Sequence, residues 1–465
     1  MLESVNRYAD KAVPAVLTLL CAAALWRVAA AAGLHVPLDP NEGWNAYHAA
    51  AAMGAGPLYP DPQGYMVNNY PPLSFYVVGV LGLLVGDNIV AGRILSLLAV
   101  AAIGAGMYAA CRRFGCSRTA SVFAPLFFTA GLLVFTDYAG MDDPQLLAHA
   151  IAMGGLLLLL RERRSTTVIA GAAFLFVAAL FVKHNVVALA VSLAIWLTLV
   201  DRRGALHYAL FGAGFLAAGF VLFRIAYGRS LLDVIATARL YSLEQLAAGA
   251  LAWLRWSLVP IAGLCFLLVH RSRDTHVRLC AIYAAVASVI GLAFLGGAGV
   301  DPNVLFDADI ALALSAALVL DGLRGARALA IPAAYAIPLI YTAATNEEWR
   351  DPETWTRPYQ DEAETAAHDI ALISARSGPA LCEMQSFCYW AGKPPAVDVF
   401  NVGQQFDTGA RSDSGLAREV EARRFAVIQF DPDSPESLGE RVHEAMNRSY
   451  RVDHVDDYGT FYVPR

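Results

Sequence analysis

The amino-acid sequence predicts an all-α polytopic membrane protein, with about eleven transmembrane helices followed by a small C-terminal α/β domain, on three observations. Hydrophobic residues make up 57% of the 465 and charged residues only 16%, against roughly 45–50% and 25% in soluble domains. Apolar runs that read as spans recur up to residue 344, and beyond that point the chain turns polar. The polar segments between the runs are unevenly charged, which fixes a sidedness. The formal net charge of −6 argues against a nucleic-acid partner, which needs a clustered basic surface.

Taken in order, the N-terminal run, 13 to 34, is longer than the apolar core of a cleaved signal peptide and reads as a retained span. The others are 89 to 110, 119 to 137, 145 to 160, 166 to 182, 186 to 200, 206 to 226, 250 to 269, 279 to 296, 304 to 321 and 328 to 344. The run 72 to 86, "PLSFYVVGVLGLLVG", is short, follows a proline and reads as an interfacial helix. With eleven spans and an inner N-terminus, the loops "CRRFGCSR", "RERR", "DRR", "HRSRDTHVR" and "DGLRGAR" all fall inside and all are basic. A twelfth span would move most of these arginines outside, against the positive-inside bias.

The chain thus divides into a membrane module, 1 to 344, with a first outer loop at about 39 to 88, and an outer domain, 345 to 465. The expected location is the bacterial inner membrane, with the N-terminus cytoplasmic and the tail periplasmic. In that tail, helices are expected at about 360 to 376, 415 to 423 and 436 to 448, and strands at "FAVIQF" and "GTFYVP". Cys382 and Cys388 are six apart, a spacing that permits a disulfide without requiring one.

The segments with chemistry in them gather on the outer side. Asp39-Pro40-Asn41-Glu42, in "LDPNEGWNAYH", fits a capping box: Asp as N-cap, Pro at N1 and Glu at N3 of a helix running through Gly54. It also offers two carboxylates, either of which can serve as a general base whose pKa burial raises. Capping is expected to depress the pKa of Asp39, which favours Glu42. "DYAGMDDPQ" adds Asp137, Asp142 and Asp143, with Asp143-Pro144 shaped as a helix start. Arg93, Lys183 and His184 lie at outer helix ends, where positive charge is scarce, and suit an anionic headgroup. "NNYPPL" supplies Tyr70, and "GGAGVDPN" supplies Asp301 and Asn303 for a sugar or phosphate contact. Arg27, Arg224 and Arg255 fall inside spans, where an ionisable residue is a functional candidate by default.

In their order and shared sidedness, the acidic first loop, the "YPP" element, the Arg of "GDNIVAGRILS", the "DP" of the second loop, the Lys after the fifth span and the polar tail resemble the GT-C polyprenyl-phosphate-sugar glycosyltransferases. The nearest in pattern are the lipid A aminoarabinose transferases and the lipopolysaccharide-core galacturonosyltransferases, with the protein O-mannosyltransferases more distant. The resemblance implies a GT-C-like fold and an enzyme that moves a sugar from a polyprenyl-phosphate donor, with inversion, to an extracytoplasmic glycolipid, lipopolysaccharide or other glycan. The family's acidic Asp-Glu pair matches Asn41-Glu42 here, so the base falls to Glu42 or Asp39. Asp143 matches the second-loop acid, Tyr70 and Pro71 match the "YPP" element, and Arg93 and Lys183 match cations near the donor phosphate. His184, Asp142 and Asn303 complete the expected donor-binding set, and Phe75 and Tyr76 are expected beside a lateral opening for the lipid. No cofactor is required on this reading. A metal-dependent version would place Mg²⁺ or Mn²⁺ on Asp39, Glu42 and Asp143, since hard cations take oxygen ligands. The rival is a transporter or flippase of a lipid-linked or anionic substrate. It is disfavoured because the sequence has no internal repeat and its acids sit at one surface, not at the midplane.

Overall fold

The computed structural model describes residues 2–323, 325–431 and 438–465; Arg324, in the last of the expected inner loops, lies outside the described residues. Helix α1 (Leu2–Ala31) leads into two short helices, α2 (Pro40–Ala50) and α3 (Leu73–Val85). The bundle continues with α4 (Asn88–Arg113), α5 (Arg118–Phe135), α6 (Gln145–Leu159), α7 (Thr166–Val182), α8 (Ala188–Val200) and α9 (Arg202–Tyr227). After a single turn, α10 (Leu231–Ile235), come α11 (Leu243–Arg271), α12 (Thr275–Leu295), α13 (Phe306–Leu320) and α14 (Arg327–Thr345). Among the described residues, eight helices are long and apolar enough to cross a membrane. The other three expected spans coincide with α6, α7 and α8, of 15, 17 and 13 residues, short of the ~20 that a full crossing takes.

Local chemistry starts these helices where the sequence says it should. Asp39 caps α2 by accepting the Asn41 N–H at 2.8 Å, Asp87 caps α4 through Ile89 and Val90, and Asp143 accepts the Gln145 N–H at 2.7 Å as α6 begins. Helix α2 does not run regularly through Gly54: it loosens into a π-turn, Ala51–Ala55, in which Gly54 takes φ 99°, a conformation that glycine alone adopts readily. Between α4, α6 and α7 the packing depends on missing side chains. A Cβ at Gly106 would lie 2.1 Å from Met153 Cγ, and one at Gly155 would lie 2.7 Å from Phe176. In lipid, where burial of apolar surface gives helices little reason to associate, such close backbone approach supplies the contact.

The bundle has two chemically different ends. At one, the Ser117 N–H donates to Asp321 at 2.8 Å and Phe114 stacks on His276, so the basic loops converge. At the other lie the first loop, the α5–α6 turn and the tail.

The tail comprises α15 (Glu347–Arg350), α16 (Glu353–Thr356), α17 (Gln360–Ala375), β1 (Leu381–Cys382), α18 (Gln385–Trp390), α19 (Val399–Asp407), α20 (Ser414–Glu421), β2 (Ile428–Phe430), α21 (Glu440–Ser449), β3 (Tyr450–Asp456) and β4 (Gly459–Pro464). Its sheet has the order β1-β2-β4-β3, with β1 parallel to β2 and the other pairs antiparallel; Ile428 stands opposite Tyr462. Leu381, Leu416, Val420, Ile428, Val442 and Met446 form one core, and Ile373, Phe387, Val427 and Phe461 form part of another. The expected third helix begins at Glu440; residues 436 and 437 lie outside the described residues. Cys382 and Cys388 are disulfide-bonded, joining β1 to α18.

The tail is docked tightly on the first loop. Tyr47 of α2 lies in the second tail core, and a Cβ at Gly43 would fall 2.1 Å from Ser386 N. Trp44 Nε1 donates to Asp398 Oδ2 at 3.0 Å, and Trp390 Nε1 donates to Asp87 Oδ2 at 2.8 Å. The Asp398 N–H donates to the Tyr65 carbonyl, and Arg411 reaches the carbonyls of Gln63 and Gly64.

Candidate active site

Between the bundle end and the tail lies a polar cavity of about 670 Å³. The first loop contributes Asp39, Asn41, Trp44 and Tyr70; the α5–α6 turn contributes Tyr138 and Asp143; two further loops contribute Arg239, Asp301 and Asn303; and the tail contributes Glu383, Gln385, Asp398 and Asn401. The two further loops hold each other: Ser242 N donates to Gly296 O at 2.7 Å and Ala298 N donates to Leu240 O at 2.9 Å. The lining is acidic, with Arg239 as its one cation among the described residues.

Asp39 is half-buried at the wall of this cavity. Its Oδ1 accepts both the backbone N–H and the side-chain amide of Asn41, each at 2.8 Å, so capping occupies one oxygen and leaves Oδ2 for other work. Burial pushes the carboxyl up to about 7, against the backbone hydrogen bond from Asn41, and the charges of Glu42 and Asp301 push the same way. The expected depression by capping is present but is outweighed by desolvation.

Glu42 occupies a different place. It is 0% exposed and absent from the cavity lining, and it forms a bidentate pair with the equally buried Arg93, Nε to Oε1 at 2.7 Å and Nη2 to Oε2 at 2.6 Å. The remaining hydrogens of Arg93 go to the carbonyls of Ala31, Leu34 and Val36, so all five donors of the guanidinium are in use. Glu42 also accepts the N–H groups of Leu38, at 3.0 Å, and Asp142, at 3.1 Å. The pair clamps the end of α1, the first loop, α4 and the α5–α6 turn together. Neither the free carboxylate expected at Glu42 nor the phosphate-facing guanidinium expected at Arg93 is found, because each neutralises the other inside the protein.

Asp142 lies behind the cavity as well. Its carboxyl packs on Gly92, where a Cβ would come within 1.7 Å of Oδ1, and burial, reinforced by Glu42 and Asp143, raises its pKa well above the ordinary carboxylate range. Lys183 is buried one side chain behind the wall. Its Nζ donates to Tyr70 Oη at 2.7 Å and to Asp143 Oδ2 at 3.1 Å, and both partners face the cavity. Burial favours the neutral amine, but the Asp143 charge and the Tyr70 hydroxyl outweigh it and hold the ammonium above its usual pKa. His184 lies edge-on to Tyr70 with its pKa lowered to about 4 by burial and by the nearby Lys183 and Arg239 charges, which makes it a neutral neighbour. Asn303 lines the cavity and anchors Gln145 through its carbonyl.

The three arginines expected within spans do not meet here. Arg27 pairs with Glu348 and lies over Tyr359, Arg224 bonds the Gly228 carbonyl at its helix end, and Arg255 is exposed on α11. Phe75 is buried beneath Trp44 and His48, and the Tyr76 hydroxyl meets that of Tyr227. Among the described residues, the oxygens of Asp39, Glu42 and Asp143 do not converge on a common point. Sequence reasoning missed Arg239 and Asp398. Arg239 Nη2 donates to Asn401 Oδ1 at 3.0 Å and its guanidinium lies 4.3 Å from the Phe400 ring centroid; Asp398, pushed up to about 6 by burial, accepts from Trp44 and Asn401. The scarcity of outer cations that singles out Arg93 and Lys183 applies equally to Arg239.

The family model that matches is described as "6-pyruvoyl-tetrahydropterin synthase related domain; membrane protein" and covers residues 67–231. No curated protein matches the chain by sequence. Among solved structures, ArnT from Cupriavidus metallidurans in the apo state is similar with a TM-score of 0.65 at 13% identity, covering 97% of this chain and 98% of that one. The same protein bound to undecaprenyl phosphate gives 0.63 at 13% identity, with the same coverage. The eight long apolar helices, the shorter ones between them and the tail sheet therefore share the fold of that membrane protein over nearly the whole chain.

Proposed function

We propose that this protein is an integral membrane glycosyltransferase that moves a sugar from a polyprenyl-phosphate donor to an extracytoplasmic acceptor, with inversion and with Asp39 as the general base. The observation that carries the reading is Asp39 itself: one oxygen fixed by Asn41, a place in the cavity wall, and a carboxyl that burial pushes up to about 7. A base poised near the working pH is what proton removal from a sugar hydroxyl needs. The full-length likeness to a protein solved with undecaprenyl phosphate supports the lipid-phosphate donor.

In this mechanism the acceptor hydroxyl attacks the anomeric carbon as its proton passes to Asp39 Oδ2. The bond from that carbon to the phosphate oxygen breaks, and polyprenyl phosphate leaves with the electron pair. Arg239 faces the cavity and offsets the charge that develops on the phosphate, an interaction strengthened where water is excluded. Lys183 acts as a positioning residue, holding Tyr70 and Asp143 toward the substrate. An apolar groove of about 150 Å³ between α5, α11 and α13, lined by Phe128, Phe135, Trp256 and Phe306, suits the first prenyl units. The basic loops favour a cytoplasmic N-terminus and a periplasmic tail.

The experiment compares envelope glycolipids by mass spectrometry in cells with and without the gene, then complements the deletion with wild type and Asp39→Asn. The reading expects one glycosylated species to vanish on deletion and to return with wild type alone. An unchanged glycolipid profile on deletion, or full complementation by Asp39→Asn, overturns it.

A further inference from the structure

The tail carries a second cluster of ionisable side chains that the transfer reaction does not use. His368 and Asp369 sit on α17, and His454 reaches them from β3. Both imidazoles aim at one oxygen: His368 Nδ1 lies 3.2 Å and His454 Nε2 lies 2.9 Å from Asp369 Oδ1. Three potential ligand atoms, one from each residue, lie within 4.8 Å of one another. Asp369 is fully buried, and its other oxygen, Oδ2, has no hydrogen-bond donor. A second carboxylate, Asp456 Oδ2, stands 3.4 Å from the same His454 nitrogen.

We propose that His368, Asp369 and His454 bind one divalent transition metal of the zinc class, pinning α17 to the edge of the tail sheet. The donor set of two imidazoles and a carboxylate suits zinc, with Asp456 or water as the fourth ligand. Atoms bound to one tetrahedral zinc at about 2.0–2.1 Å stand about 3.3 Å apart, the scale of the two separations observed. His454 also has the orienting partner that metal-bound histidines usually have: its Nδ1 lies 3.2 Å from Asp453 Oδ2, an acceptor that favours the proton on Nδ1 and Nε2 as the metal's ligand. The ring is further held by stacking on Phe461, 4.5 Å between centroids at an interplanar angle of 8°. His368, exposed on the helix surface, closes the site from outside. A plain hydrogen-bond network accounts less well for the cluster, since it crowds two imidazoles onto one oxygen of Asp369 and sets a second carboxylate, Asp456, against the same residue.

The test uses the full-length protein in detergent, stripped with chelator and titrated with Zn²⁺ alone by calorimetry. The expected result is one tight site per chain. Affinity should fall at least tenfold in His454→Ala and in His368→Ala, and about tenfold or more in Asp453→Asn, the scale of removing an orienting partner. Because His368 is exposed, His368→Ala leaves the tail core intact and keeps the test decisive should His454→Ala fail to fold. No saturable zinc uptake by the wild type, or equal uptake by the wild type and His368→Ala, overturns the proposal.

Discussion

On the proposed function, Asp39→Asn should separate catalysis from architecture at one position. Asparagine is as good an N-cap as aspartate and keeps an oxygen for the Asn41 N–H now bonded at 2.8 Å, so the first loop should hold its shape and the variant should be no less stable than wild type. Removing the acceptor of the sugar-hydroxyl proton is expected to slow transfer about 10²- to 10⁴-fold, which corresponds to roughly 2.7–5.5 kcal/mol of barrier. The pH profile supplies a second, independent signature. With its carboxyl pushed up to about 7, wild-type Asp39 is protonated and inactive as a base below that value, so the rate rises with pH through about 7 and levels off above it. The stability linkage runs the opposite way. A carboxyl whose pKa is raised on folding contributes stability that is fully present below its unfolded pKa and is lost as pH rises through about 7. Above pH 7, Asp39→Asn should therefore gain stability relative to wild type. The assay is the initial rate of transfer of a labelled sugar from a polyprenyl-phosphate donor, measured from pH 5 to 9 in both forms. Retention of more than a tenth of the rate by Asp39→Asn would refute the assignment, and loss of activity in a normally stable Glu42→Gln would move the base to Glu42.

The Glu42–Arg93 clamp should behave as structure. Arg93→Met strands a buried carboxylate and is expected to cost about 3–5 kcal/mol, read as a lower melting temperature in detergent, and adding Glu42→Leu should restore part of the loss. Gly43→Ala would drive a methyl into Ser386 N, 2.1 Å from its Cβ, so the tail should lift from α2 and become more sensitive to limited proteolysis, with little change in the bundle. Lys183→Met removes the donor to Tyr70 and Asp143; the expected result is transfer slowed by tenfold or more with the pH midpoint near 7 unchanged, because Asp39 still sets it. Cys382→Ser opens a short covalent loop and should cost the tail about 2 kcal/mol by loop entropy, measurable as a shift that reductant reproduces in wild type.

The spans, caps and shared side of the acidic loops were legible in the sequence because each depends on neighbouring residues: a run of apolar side chains, an Asp before a Pro, an excess of arginine. The tail strands "FAVIQF" and "GTFYVP" were legible for the same reason, and β2 and β4 lie within them. Strand β3 was not, since most of its side chains are exposed and give no alternation, and β1 is only two residues long. The division of labour between the two first-loop carboxylates was hidden by long-range partners. Glu42 is sequestered by an arginine 51 positions away, and Asp39 owes its raised pKa to a wall of burial that no local pattern records. Asp398 escaped notice because its partner Trp44 is 354 residues distant. The three intramembrane arginines misled for the converse reason: they satisfy themselves at helix ends or at the surface, and composition does not distinguish such a residue from one facing a cavity.

The docking of the tail on the first loop has a consequence for biogenesis. The cavity wall formed by Glu383, Asp398 and Asn401 belongs to a segment synthesised only after α14 has been made. A chain synthesised only through α14 would therefore carry Asp39 and Lys183 without the tail residues that wall the cavity, and β4, Gly459–Pro464, lies between β2 and β3 in the sheet that carries them. On the proposed function, a chain cut within β4 should still insert its helices but transfer no sugar.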